Sequence, residues 1–404
     1  MVAQTRAGNK PASPQKLKLK FHEKLIGRTS TSTDVLLKKL KALHAELVEL
    51  EQDRLEKDAL GSVGHELIHQ GILLHKDKGV KAYAACCIAD VLRLSAPDAP
   101  YSHNELTDIF HFFLRQLVQN LKTPDTPYYN QYFLLLESLS AVKSPALISD
   151  LPKADELIEQ FFKDFFKIIR YDLSKKIELF LVDILNAIVD ECHTIPSVVV
   201  TTLLAQFMDK NLVSSSSHPH GIIPNHGMNK GMDQPAFRLA TQVCNGSSTK
   251  LQRYVCQYFT DIILQHSDEE EFEEIQKAHD LIKRLNRFCP SLLHNVVPQL
   301  EEELRVDEVS IRIMATQALG EMFADSGGTD FMRKYPSTWN LWLTRRNDKS
   351  AAVRLAFVEA CKGLVLAPGE TREAIEGEWD KFSLAQYQPL MPNVRRPFSQ
   401  ALGP

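Results

Sequence analysis

HKDKGVKAYAACCIADVLRLSAPDAPY, residues 75–101, decides how the rest of the chain is read. It opens on a charged turn, continues as one amphipathic helix and stops at a rigid Ala-Pro-Asp-Ala-Pro-Tyr segment. Val80, Ala84, Cys87, Ile88, Val91 and Leu92 recur at three- and four-residue steps, which predicts a single buried stripe. Ala84, Ala85, Cys86 and Cys87 are small, so a neighbouring helix can approach closely. Pro97 and Pro100 lack backbone N–H groups and push their predecessors out of helical geometry, which ends the helix in an extended corner. A corner that fixes Asp98 and Tyr101 in place suits capture of a short peptide better than bond chemistry.

Outward from this stretch the pattern is helical almost throughout. Thr33 and Asp34 are placed to cap a helix whose apolar face is Leu36, Leu37, Leu40, Leu43, Leu47 and Leu50. Phe161, Phe162, Phe165, Phe166, Ile168 and Ile169 give a broad apolar face on another helix. Ile177, Phe180, Leu181, Ile184, Leu185 and Ile188 do the same on its partner. The β-branched run Val198–Val200 resembles a strand, yet Thr194 as a cap and Pro196 in a first turn favour a helix.

The chain also repeats itself. Pro298, Leu300, Leu304, Asp307, Ile311, Arg312, Ala315, Ala318, Leu319 and Met322 form a HEAT-type helix pair. The proline is expected to kink its first helix, with aspartate and arginine pairing across adjacent repeats. Asp348, Val353, Arg354 and Ala356 restate the motif, Arg354 following Arg312 by 42 residues, within the HEAT period. Asp77, Val80, Lys81 and Ala84 are an earlier copy. The expected fold is therefore all-α, a HEAT-repeat α-solenoid of stacked antiparallel helix pairs forming a curved rod, with about eight pairs.

Composition narrows the classes. The 404 residues are 44% hydrophobic, enough for a large core. Lys and Arg total 47 against 51 Asp and Glu, a net charge of −4 that gives no overall excess for wrapping nucleic acid. Seven cysteines, an odd number set mostly in apolar helical runs, read as reduced core residues of a cytosolic or nuclear protein. No apolar run approaches the length of a membrane span. Residues 1–30 read as a disordered basic tail. Residues 31–210 and 236–377 read as two helical-pair blocks around a flexible inserted loop at 211–235. Residues 378–404 read as an irregular, truncated end.

Several motifs invite chemistry. His65-Glu66-Leu67-Ile68-His69 is HExxH, which on a helix gives two imidazoles to zinc and a carboxylate to activate water. It lacks a third ligand and a substrate cleft, and a chance match is the stronger account. His218, His220 and His226 in the long loop favour adventitious metal capture at most. Ser267 to Glu271 reads first as a helix cap, Ser267 with Glu270, and only second as an acidic recognition patch. Lys76, Lys78 and Lys81 crowd one turn as candidate anion ligands, with ordinary solvated lysines the plainer reading. Two prolines after a helix also have a plain meaning, a stop and a turn. No P-loop, dinucleotide fingerprint or nucleophile–base pairing is present, so the chain reads as a non-catalytic scaffold.

The segments ACCIAD (Ala85–Asp90), APDAPY (Ala96–Tyr101), HKDKGVK, and YNQYFLLLESL (Tyr129–Leu139) together resemble the cohesin-associated "precocious dissociation of sisters" family, in its N-terminal portion. The resemblance implies a nuclear, chromosome-associated HEAT scaffold that maintains sister chromatid cohesion and helps control cohesin release. It implies as partners the cohesin ring, chiefly its kleisin subunit, the wings-apart-like release factor and the cohesin acetyltransferase, with chromatin reached indirectly. In relatives much of the kleisin contact lies on later repeats. The resemblance also makes Ala96, Pro97, Asp98, Ala99, Pro100 and Tyr101 a docking site for short motifs, with Asp98 accepting hydrogen bonds and Tyr101 the aromatic anchor. No cofactor is expected, although family members that bind inositol hexakisphosphate make that anion a candidate ligand without numbered contacts. Two rivals stand beside this reading: a general HEAT adaptor in transport or signalling, and a zinc hydrolase built on His65, Glu66 and His69.

Overall fold

A computed structural model describes residues 19–27, 31–52, 58–121, 124–208, 234–264, 269–366 and 370–379. Among the described residues there are eighteen α-helices and no strand. None of these helices is long and apolar enough to cross a membrane. The chain divides into two units, residues 1–202 with 233–239, and residues 203–232 with 240–404. The division falls near residue 203 rather than 210, and the start of the segment after the insertion belongs with the first unit. Expectations for 211–233, including His218, His220 and His226, and for 380–404 lie outside the described residues. So does Ser267.

The first unit is built on α1 (Thr33–Glu49), α2 (Asp58–Leu67), α3 (Gln70–Leu73), α4 (Lys78–Ser95), α5 (His103–Asn120), α6 (Tyr129–Val142), α7 (Ala154–Ile168) and α8 (Lys175–Glu191). α9 (Ser197–Ala205) is helical despite its three valines, as Pro196 ahead of it suggested. α1 packs on α4, α4 on α6, and α6 on α8, while α5 packs on α7, which is the stacking of HEAT pairs. α1 buries Leu36, Leu40, Leu43 and Leu47 as expected, but its N-cap is Ser32, without a side-chain bond.

α4 departs from the single-stripe expectation. Gly79, Ala82, Ala85, Cys86, Ala89 and Leu94 are buried along with Val80, Ala84, Cys87, Ile88 and Val91. α1, α2, α3, α5 and α6 all touch α4. Small side chains let neighbours close around most of it, leaving Lys78 exposed and Lys81, Tyr83 and Arg93 half-buried. Asp90 inside it is only 8% exposed. It meets His44 Nδ1 at 3.0 Å and is bridged by Arg93. Arg93 also donates to the carbonyls of Leu47 (2.8 Å) and Leu50 (3.1 Å), closing the end of α1.

The basic-tail expectation fails for part of its length. Leu19 and Leu25 are buried. Leu25 N donates to Glu66 Oε2 at 2.7 Å, and Lys39 Nζ donates to the carbonyl of Lys24 at 2.7 Å. Two leucines with apolar neighbours hold residues 19–27 against α1 and α2, so positive charge in the flanking sequence does not decide their state.

The second unit contains α11 (Ser248–Leu264), α12 (Glu269–Phe288), α13 (Val297–Glu303), α14 (Val309–Ala324), α15 (Gly328–Lys334), α16 (Pro336–Leu343), α17 (Ala351–Leu366) and α18 (Glu370–Trp379). α10 (Pro235–Gly246) runs from the first unit into it. Pro298 does not kink a helix. It stands in the first turn of the seven-residue α13, where its missing N–H has no partner to lose. Arg312 and Asp348 pair across consecutive repeats, as the spacing suggested: Arg312 Nε and Nη2 each lie 3.1 Å from an Asp348 oxygen. Asp307 instead meets Lys349 at 2.7 Å on the surface. α14 and α17 approach closely because a β-carbon on Gly320 would overlap that of Ala360.

One buried pair carries a pH prediction. His279 Nδ1 donates to the Ile275 carbonyl at 2.8 Å, and its Nε2 lies 2.7 Å from Glu303 Oε2. Burial opposes the charged ring, but the bond and charge of Glu303 outweigh it and raise the His279 pKa above its ordinary value. A raised folded pKa makes the stabilisation complete below the unfolded value of about 6.5, and it is lost as pH rises through the folded value. Urea midpoints are therefore expected to fall as pH rises from about 6.5 through the higher folded value. Glu303→Gln should flatten that part of the profile, and an unchanged slope in the variant would show that the pair is not its source.

Candidate functional site

The proline corner is held at both ends and from beneath. Ala96 is the C-cap of α4, and its carbonyl accepts from the Gln52 side-chain amide. The Ala96–Pro97 bond is cis. Ser102 is the N-cap of α5 and forms a capping box with Glu105. Its amide and hydroxyl each lie 2.8 Å from Glu105 Oε2. The Ser102 amide, with help from its hydroxyl and from His65, holds the Glu105 carboxyl below the usual range despite some burial. Glu105 Oε1 in turn sits 3.4 Å from His65 Nδ1 on α2.

Within the corner Pro97 and Asp98 are exposed, while Ala96, Ala99 and Pro100 are half-buried. The Asp98 carboxylate makes no hydrogen bond or ion pair among the described residues, so it is free to accept one from a visitor. Tyr101 corrects the sequence reading. It is only 8% exposed and lies edge-on to His65 at 6.4 Å between ring centroids. A β-carbon on Gly64 would come within 3.3 Å of its hydroxyl oxygen. That oxygen has no hydrogen-bond partner, and burial pushes the phenol pKa up, with Cys87 and Glu105 adding to it. Tyr101 is thus a post beneath the corner, not an anchor on its surface. The gap that receives the ring exists because Gly64 has no side chain, and nothing near Tyr101 in the chain announces that gap.

The HExxH residues separate in space and role. α2 ends at Leu67, so the two histidines do not share one helical face. His65 faces Glu105, Glu66 accepts from Leu25 N, and His69 caps α3 by accepting from Gly71 N at 3.0 Å. No group of three or more His, Cys, Asp or Glu among the described residues is gathered for a metal.

Lys76 and Lys78 are exposed and Lys81 is half-buried. None of the three ammonium groups has an ion-pair partner among the described residues. Asp77, between them in the chain, caps α4 by accepting from Val80 N at 2.9 Å. The turn is tight, since a β-carbon on Gly79 would press on the Tyr128 ring. Tyr128 also meets Tyr83 edge-on at 6.3 Å, and Lys41 lies 5.4 Å over the Tyr83 ring. Gln52, Gly64, His65 and Glu105 were missed as supports of the corner. Of these only the Ser102–Glu105 spacing carried a readable signal, that of a capping box.

Stacked HEAT pairs define an all-α, HEAT-repeat solenoid protein. Residues 34–382 match the model of the family described as sister chromatid cohesion protein PDS5, and the chain belongs to that family. It is 36% identical over 371 residues to the sister chromatid cohesion protein pds5 of Schizosaccharomyces pombe, covering 89% of this chain and 29% of the relative. Against PDS5 of Saccharomyces cerevisiae it is 29% identical over 389 residues, covering 94% and 29%. A solved structure of a Pds5–Scc1 complex contains a chain similar to this one at 27% identity with a TM-score of 0.77, covering 88% of this chain and 53% of that one. The chain spans under a third of the length of these curated relatives.

Proposed function

We propose that the chain is a non-catalytic, cohesin-binding scaffold that regulates sister chromatid cohesion on chromosomes in the nucleus. The observation that carries the reading is the Ala96–Tyr101 corner. Pro97 and Asp98 stand on the surface, immobilised by two helix caps and the buried Tyr101, in a chain whose relatives are cohesion proteins. A preformed corner binds an extended peptide with little ordering cost on its own side. Asp98 supplies the charged acceptor for a basic or hydroxyl-bearing motif. The wings-apart-like release factor and the cohesin acetyltransferase are the partners assigned to this corner, and the kleisin subunit to the wider solenoid. The solved Pds5–Scc1 complex of the related chain supports the kleisin assignment. Inositol hexakisphosphate is assigned to the turn bearing Lys76, Lys78 and Lys81, whose free ammonium groups suit a polyanion.

Asp98→Lys tests the corner because the side chain is exposed and unpaired, so the fold should survive the exchange. Capture of the release factor is expected to fall by about tenfold or more, as a charge-assisted contact becomes a repulsion. Helix content and the thermal midpoint should not move. Undiminished capture of both release factor and acetyltransferase by a folded variant would remove the corner from the proposal. Failure of the unmodified chain to retain any cohesin subunit would remove the proposal itself.

A further inference from the structure

Residues 19–27 form a non-helical strap that touches three elements of the first unit. Leu19 and Leu25, 4% and 1% exposed, seat it by apolar burial. The Lys20 amide donates to Glu46 Oε1 on α1, and the Glu23 carboxylate lies 3.6 Å from Lys39 Nζ on the same helix. The Leu25 amide donates to Glu66 Oε2 on α2 at 2.7 Å. Ile26 Cδ1 lies 4.0 Å from the place a β-carbon on Gly71 of α3 would take.

Glu66 directly follows the two residues that support the proline corner. Gly64 leaves the space that the Tyr101 ring fills, and His65 meets both Glu105 and the Tyr101 ring. Three consecutive residues of α2 therefore join the strap to the post and the helix cap beneath the corner. α2 has ten residues, too few for a helix to hold itself in water, so its position follows from its tertiary contacts. It packs on α4, and the strap adds a hydrogen bond to a carboxylate, the stronger kind. The ladder of α1 on α4, α4 on α6 and α6 on α8 is built from other helices. A change at the Leu25–Glu66 bond thus reaches the corner before it reaches the ladder.

We infer that the strap is the positioning element of the proline corner, the Leu25–Glu66 bond seating α2 so that Gly64 receives Tyr101 and His65 meets Glu105. With the strap in place the corner is preformed. With the strap released, Tyr101 loses its seat and a partner must order the corner as it binds, at a cost in affinity. The inference rests on the reading of the corner as a docking site and adds a control point to it. A factor that draws residues 19–27 away weakens capture without touching Asp98.

The test uses three variants of the full chain. Glu66→Leu deletes the acceptor, Glu66→Gln keeps an acceptor oxygen at the same length, and Leu25→Ala removes the apolar anchor. Hydrogen exchange followed by mass spectrometry reads peptides spanning residues 96–105, with α7 and α8 as the internal reference. Exchange at the corner is expected to be about tenfold faster in Glu66→Leu and Leu25→Ala, unchanged in α7 and α8, and close to wild type in Glu66→Gln. Capture of the release factor should fall about fivefold in the same two variants. Unchanged corner exchange in both, an equal rise across α7 and α8, or no recovery in Glu66→Gln overturns the inference. Faster corner exchange with equal capture by all four proteins would instead count against the docking reading of the corner and leave the positioning role standing.

Discussion

Asp348→Ala is expected to destabilise the second unit by about 3–5 kcal/mol, the cost of leaving buried charge without its counter-ion. The Arg312 and Asp348 side chains are 2% and 3% exposed. Asp348 also accepts from Arg345 Nη1 at 2.9 Å and from Ser350 N at 2.9 Å. Arg312 anchors its own turn by donating to the carbonyls of Val306 (2.7 Å) and Asp307 (2.8 Å). Removing the carboxylate therefore strands two guanidinium groups at once, at the joint between consecutive repeats. Urea denaturation followed by circular dichroism measures the loss. Lys349→Ala, which removes the exposed partner of Asp307, is the matched control and should not move the midpoint. Equal effects of the two substitutions would show that burial is not what gives the joint its strength.

Trp342→Ala should cost a similar amount, about 3–5 kcal/mol, from lost apolar burial and the cavity left behind. The ring is fully buried. It contacts Phe323 at 5.6 Å, Trp339 at 5.4 Å and Phe357 at 4.6 Å between centroids. Its Nε1 donates to the Thr316 carbonyl at 2.9 Å, and Thr316 Oγ1 donates to the Arg312 carbonyl at 2.6 Å. Trp342→Phe separates the two contributions, since it keeps most of the ring volume but removes the Nε1 donor to the Thr316 carbonyl. That variant should lose about 0.5–1.5 kcal/mol, the net contribution of one hydrogen bond, because the Thr316 carbonyl keeps its helical partner within α14. If phenylalanine costs as much as alanine, the hydrogen bond rather than the packing governs this core.

The repeat itself was legible because local rules write it. Three- and four-residue apolar spacing marks the faces of α7 and α8, and the 42-residue return of Arg312 at Arg354 marks the period. The proline stop was legible for the same reason, since Pro97 and Pro100 act on their own backbone. Other readings failed where a distant residue intervened. Tyr101 turned inward because Gly64 leaves room for it, and α4 buries more than one stripe because five helices touch it. HExxH failed as a metal site because α2 stops at Leu67 and His69 begins another helix.

By itself the amino-acid order determined the helices, their pairing period, the corner that ends α4 and the family to which the chain belongs. These follow from backbone chemistry and from side-chain spacing within a few turns. Tertiary structure alone decided which faces are buried, that Asp98 is exposed while Tyr101 is buried, and that His65 meets Glu105 beneath the corner. Those outcomes depend on residues far apart in the chain meeting in space, and packing and desolvation act on that meeting rather than on the order of residues.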